Sequence, residues 1–169
     1  MAERIDLFDS TYSHFTKEVL ETIRKETFGE DIGQNSWTTA EEYDRFLSWL
    51  DLRPAHQVLE VASGSGGPAI YIADHVGCRV MGIDANEAGV ATATQSAASS
   101  SRADRITFAV ADANSALPFD DNSFDAVLCI DSMNHFSRST ASVPGMAPRP
   151  SAWPQRHLHR SSGNYRASD

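Results

Sequence analysis

A glycine-rich turn and two aspartates beyond it are the residues of this chain best suited to chemistry. The turn is Glu60-Val61-Ala62-Ser63-Gly64-Ser65-Gly66-Gly67-Pro68, entered from a short apolar run. Glycines there let the chain reverse sharply and bring its backbone against a ligand, while a following helix offers its N-terminal N–H groups. Gly64 to Ala69 also fits G-x-G-x-x-A, a dinucleotide fingerprint, so an NAD(P)-dependent oxidoreductase stands as one alternative. By itself the turn is equally well explained by tight packing. Asp84 ends a second apolar run, where a carboxylate can accept both hydroxyls of a ribose. Asp112 follows a third, flanked by Ala111 and Ala113, where a carboxylate can accept a hydrogen bond from the exocyclic amine of adenine. Leu117-Pro118-Phe119-Asp120-Asp121-Asn122-Ser123 then turns into a fourth run. Each aspartate alone reads as a cap or turn residue; their joint placement after successive strands is much harder to explain that way.

The elements that must position these residues follow from the pattern. Val58–Val61, Arg79–Ile83, Ile106–Val110 and Phe124–Ile130 read as buried strands, with helices over about 67–76 and 86–100 between them. Strand and helix in this rhythm imply an α/β fold with a doubly wound parallel sheet, whose ligands bind at the carboxyl ends of the strands. Ahead of the sheet, Phe8, Tyr12, Phe15, Val19 and Ile23 recur at steps of three and four, which predicts a helix with a core-facing stripe. A polar loop from Phe28 to Trp37 follows. Thr39 and Glu42 have capping-box spacing, and Tyr43, Phe46, Leu47 and Leu50 give a second helix its apolar face before Pro54.

Taken together, Glu60 to Pro68, Gly82-Ile83-Asp84, Ala111-Asp112-Ala113 and Leu117 to Val127 resemble the successive motifs of class I S-adenosylmethionine-dependent methyltransferases. The resemblance covers roughly residues 57–136 and implies a Rossmann-like sheet of which strands one to four are present and five to seven are missing. It implies S-adenosyl-L-methionine as cofactor. Gly64 and Gly66 would lie against its methionine part with Glu60 nearby, acting through water; Asp84 would hold the ribose and Asp112 the adenine amine. Ala62, Ser63, Ala85, Ala113 and Asp131 are assigned to the same surroundings. Ala62 departs from the glycine of many members and is expected to give a tighter turn.

The N-terminal part is similar to small-molecule methyltransferases acting on phosphoethanolamine or glycine-type amines. Phe28-Gly29-Glu30-Asp31 resembles their segment that closes over the cofactor, so Gln34, Asn35, Ser36 and Trp37 are the expected lid contacts. His135 coincides with a histidine that positions or deprotonates the acceptor in the phosphobase enzymes, and an imidazole suits that task near neutral pH. An ordinary histidine at a helix start is the alternative. Arg24 stands where those enzymes place the tyrosine that partners the histidine.

Composition bounds the partners. The chain has 169 residues, 41% hydrophobic, with Lys+Arg 14, Asp+Glu 23 and a formal charge of -9. Such an acidic balance argues against a binder of nucleic-acid phosphates. No run of about 18 apolar residues predicts a membrane span, and the first residues lack signal-peptide character, so a cytoplasmic protein with a small-molecule acceptor is expected. Cys78 and Cys129 form no CxxC, and His14, His56 and His75 have no metal-ligand spacing; no metal is expected.

The charge is not evenly spread. Residues 1–136 carry -13 and residues 137–169 carry +4, and four of the seven prolines fall in the latter. Three units are therefore expected: N-terminal helices and lid at 1–56, a partial cofactor-binding core at 57–136, and an aberrant, disordered tail at 137–169. The tail has a sharper explanation. Reading one base later turns Met146-Ala147 into a forced tryptophan and Trp153-Pro154 into a forced glycine, seven codons apart. The family places W-x-x-V-L-R-P-G ahead of its fifth strand with that separation. The tail is thus expected to be a frame-shifted translation of the missing half. With those strands gone, the fourth strand becomes an exposed edge open to self-association, and a fragment that binds cofactor without turnover is a further alternative.

Overall fold

The computed structural model describes Tyr12 and residues 18–132. The stripe residues Phe8 and Phe15, His135 and the whole 137–169 tail lie outside the described residues.

The core is a four-stranded parallel sheet of β1 (Gln57–Val61), β2 (Arg79–Asp84), β3 (Ile106–Val110) and β4 (Ala126–Leu128) in the order β3-β2-β1-β4. The central strands β1 and β2 are largely buried, as a covered parallel sheet requires, whereas β3 and β4 at its sides are half-exposed. Helix α3 (Gly67–Val76) follows β1 and α4 (Glu87–Ala97) follows β2; both pack on one face, where Val58, Val80 and Ile106 meet Ala69, Ile72, Ala73 and Ala97. On the opposite face Leu59, Val61 and Ile83 meet Leu117 and Phe124 from the 117–124 loop. The chain leaves β1 toward β2 and β3, then returns to add β4 on the other side of β1. That reversal opens a crevice at the carboxyl ends of β1 and β4.

Among the described residues, helices α1 (Glu18–Phe28) and α2 (Ala40–Leu50) lie ahead of the sheet. Thr39 caps α2 in a complete capping box: its hydroxyl accepts from Glu42 N–H, and Glu42 accepts from Thr39 N–H. Tyr43 anchors α2 to α3 through Tyr71, with Ile32 and Ala40 alongside.

The expected apolar stripes are only partly inward. Tyr12 is buried, but Val19 and Ile23 are 69% and 50% exposed, because α1 turns Arg24 inward instead. The Arg24 guanidinium makes a bidentate ion pair with Asp31 at 2.8 and 3.0 Å, which fixes the start of the following loop. On α2, Phe46 points outward and packs on Trp49 rather than joining the core. Strand β4 is also shorter than expected. At one end Phe124 turns its ring onto Phe119, while Asp125 N–H donates to Gln57 O and Asp125 Oδ2 accepts from Gln57 N–H; pairing with β1 stops at Leu128.

Candidate functional site

The carboxyl ends of β1, β2 and β3 open into a cavity of about 400 Å³. Strand geometry puts Glu60 one residue before the end of β1 and Asp84 at the last residue of β2. Between Glu60 and α3 the backbone makes its sharp reversal through left-handed residues: Ala62 at φ 59°, Gly64 at 53° and Gly66 at 82°. At Gly66 a side chain has no room either, because its Cβ would stand 2.6 Å from the Phe108 ring and 2.7 Å from Ala93 Cβ. Alanine at position 62 therefore keeps the turn by adopting the left-handed conformation a glycine takes without strain.

The loop between α1 and α2 closes over this turn. A Cβ at Gly67 would collide with the Gly33 and Ile32 carbonyls, so loop and helix N-terminus meet backbone to backbone. Ser65 Oγ donates to Gly33 O at 3.4 Å, and Asp31 Oδ1 accepts from Gly33 N–H at 2.8 Å. The loop's far end is fastened across the cavity by Asp131, whose Oδ2 accepts from Trp37 N–H and Thr38 Oγ1.

The aspartates are held in place by neighbouring donors. Asp84 Oδ2 accepts from Gly64 N–H and Oδ1 from Asn86 N–H, both at 2.8 Å. Asp112 Oδ1 accepts from the backbone N–H and the side-chain amide of Asn114 at 2.9 and 3.1 Å. Glu60 is different. It is 3% exposed, its Oε2 has no hydrogen-bond partner, and burial pushes its pKa up to about 8. The Asp84 charge adds to that rise, and the Ala69 N–H opposes it.

Of the residues expected from sequence, Glu60, Ala62, Ser63, Gly64, Asp84, Ala85, Asp112, Ala113, Asp131, Asn35 and Ser36 all line the cavity. Three do not. Gly66 serves the turn and the packing beneath it. Gln34 is buried behind the loop, its Oε1 accepting from Ile32 N–H and its amide donating to Glu30 O. Trp37 keeps its side chain in solvent, 83% exposed, and contributes only its backbone. Sequence reasoning missed Tyr12, Tyr43, Asn86, Asn114 and Ile130, which also line the cavity. The Tyr12 hydroxyl would stand 2.9 Å from a Cβ at Gly64. Only the N-cap spacing of Asn86 to Gly89 carried a sequence signal. Among the described residues there is no cluster of acidic, histidine or cysteine side chains able to hold a metal.

A parallel sheet with acidic residues at or beyond the ends of its strands and a glycine turn beneath a lid defines a nucleotide-type binding crevice. Residues 58–144 match the model of a methyltransferase domain family, and the chain belongs to that family. It is 34% identical over 117 residues to 27-O-demethylrifamycin SV methyltransferase of Amycolatopsis mediterranei, covering 64% of this chain and 43% of that protein. To phosphoethanolamine N-methyltransferase of Triticum aestivum it is 33% identical over 96 residues, 57% of this chain and 18% of that one. Among solved structures, phosphoethanolamine N-methyltransferase 2 of Haemonchus contortus, in complex with S-adenosyl-L-methionine, superposes with a TM-score of 0.63 at 21% identity, over 86% of this chain and 34% of that chain. The chain spans less than half the length of each of these proteins.

Proposed function

We propose that this chain binds S-adenosyl-L-methionine and belongs to an enzyme that transfers its methyl group to a nitrogen or oxygen of a small molecule. The observation that carries this reading is Glu60: a buried carboxylate with an unpartnered oxygen, facing a cavity whose other acids, Asp84, Asp112 and Asp131, stand at or just beyond the ends of β2, β3 and β4. Such a group fits a ligand that brings its own positive charge, and a sulfonium with an α-ammonium group does so. An unpaired buried acid has no evident partner in the uncharged adenosine end of a dinucleotide, which counts against the oxidoreductase alternative.

The residues would divide the work as follows. Asp84 would hold the ribose hydroxyls, Asp112 the adenine amine, and the Gly64 to Gly66 backbone the amino-acid part. The cofactor supplies an already activated methyl group. The protein's task is then to align an acceptor with it and exclude water, which the lid fastened by Asp131 serves. His135, outside the described residues, is proposed as the group that positions or deprotonates the acceptor. The acceptor is proposed to be small, in keeping with relatives named for rifamycin and phosphoethanolamine methylation. Two free cysteines fit a reducing, cytoplasmic setting. No helix among the described residues is long and apolar enough to cross a membrane.

Calorimetric titration of the full chain with S-adenosylhomocysteine and with NAD tests the proposal. Saturable binding of the first alone is expected, and binding of NAD alone overturns it. Methyl transfer to candidate amines then separates an enzyme from a fragment that only binds.

A further inference from the structure

Among the described residues three buried side-chain atoms lack a hydrogen-bond partner: Tyr43 Oη, Glu60 Oε2 and Ser63 Oγ. All three residues line the same cavity. Buried polar groups are ordinarily paired, so three orphans around one cavity mark a site that its ligand completes. Glu60 and Ser63 belong to the turn already assigned. Tyr43 comes from α2, on the lid side, and its place in the apolar pattern of that helix gave no hint of a polar role.

Tyr43 is 1% exposed, and its ring is fixed against Tyr71 with centroids 6.4 Å apart. Tyr71 is in turn tied to α2 by its hydroxyl, which donates to Asp44 Oδ1 at 2.7 Å. The Tyr43 ring is thus held at the cavity wall by its packing in the cluster with Tyr71, Ile32 and Ala40. Burial and the charge of Glu60 push its pKa up, the nearby Ser36 hydroxyl opposes the rise and Asp131 adds to it; the group keeps its proton and acts as a donor rather than a base. The described cavity lining carries four carboxylates, those of Glu60, Asp84, Asp112 and Asp131, and no Lys, Arg or His. Among the described residues, then, only neutral donors can hold an anionic ligand group in this cavity.

We propose that Tyr43 binds the α-carboxylate of the cofactor's amino-acid end while Glu60 takes the adjacent ammonium group. The inference rests on the cofactor reading above. An amino acid presents its two charges on neighbouring atoms and needs an acceptor and a donor close together; Glu60 and Tyr43 are near enough for the charge of one to bear on the other. Tyr43 is a binding residue, not a proton carrier, in this scheme.

Binding to the full chain, measured for wild type and for Tyr43→Phe, tests the assignment with two ligands: S-adenosylhomocysteine and 5′-methylthioadenosine, which lacks the amino-acid end. Phenylalanine removes only the oxygen and keeps the ring in its packing. S-adenosylhomocysteine is expected to bind on the order of 10-fold more weakly to the variant, the loss of one hydrogen bond to a charged group, and 5′-methylthioadenosine unchanged. Decarboxylated S-adenosylmethionine, which keeps the ammonium group, is expected to ignore Tyr43→Phe and to lose affinity in Glu60→Gln. Equal losses for all ligands, or none for S-adenosylhomocysteine, overturn the role of Tyr43. Failure of the wild type to bind any of the three overturns the cofactor reading itself.

Discussion

The Asp131 carboxylate, beyond β4, accepts a hydrogen bond from Trp37 N–H at 2.9 Å and so ties the lid loop to the opposite wall of the cavity across 94 positions of sequence. The same oxygen accepts from Thr38 Oγ1 at 3.3 Å. Asp131 makes this contact from the left-handed region, φ 54°, which short polar side chains tolerate better than most. Replacement by alanine removes a charge-assisted acceptor shared by two donors. In Asp131→Ala, amide hydrogen exchange at Trp37, whose N–H loses its acceptor, should speed up on the order of 10-fold while α3 stays protected. Unchanged exchange at the Trp37 amide would show that the lid is held by its contacts with Ser65 and Gly67 without Asp131.

Glu60 predicts a pH dependence with a definite sign. In the unfolded chain its proton leaves near 4.5, whereas in the folded protein burial holds it to about 8. Between these values the folded state binds the extra proton, so the contribution of Glu60 to stability is complete below 4.5 and is lost as pH rises through 8. Urea unfolding of wild type and Glu60→Gln across this window should show a difference that grows with pH in favour of the glutamine variant, then levels. A cationic ligand reverses the preference for the proton. Its binding should therefore release a proton near pH 7 and tighten as pH approaches 8, which calorimetry in buffers of different ionisation enthalpy detects.

Ala62 stands in the left-handed region at the heart of the turn. That conformation costs a non-glycine residue about 1–2 kcal/mol, partly offset by the greater freedom glycine has in the unfolded chain. Ala62→Gly is expected to raise unfolding stability by up to about 1 kcal/mol, with cofactor affinity retained. A loss of stability would mean that the Ala62 methyl makes a packing contact worth more than the strain.

The match to the methyltransferase family ends at residue 144, two positions before Met146, where the one-base shift restores a tryptophan. Sequencing the gene across the codons for Phe136 to Val143 is expected to reveal a single-base change that restores the family's motif in frame. If no such change restores it, the frame-shift explanation of the tail fails.

Much of this was legible in the sequence because it rests on local rules. The run of four short apolar segments fixed the parallel α/β class, since helices alternating with strands must cross over a common sheet. The spacing of Thr39 and Glu42 fixed the start of α2, and the glycines fixed the turn where the backbone reverses. Asp84 and Asp112 were legible as well, because a residue at the end of a parallel strand is at the ligand crevice whatever its neighbours. What the sequence could not decide was direction and distance. Val19, Ile23 and Phe46 have the spacing of core residues and face outward, because the side a helix presents depends on what packs against it. Gln34 and Trp37 share a loop with Asn35 and Ser36, yet only the latter two reach the cavity, because a loop has no period from which side-chain direction can be read. Tyr43 has the same helical spacing as any core tyrosine. Only the tertiary packing, which sets its hydroxyl and the Glu60 carboxylate on one cavity, shows that a residue of the apolar pattern also lines that cavity.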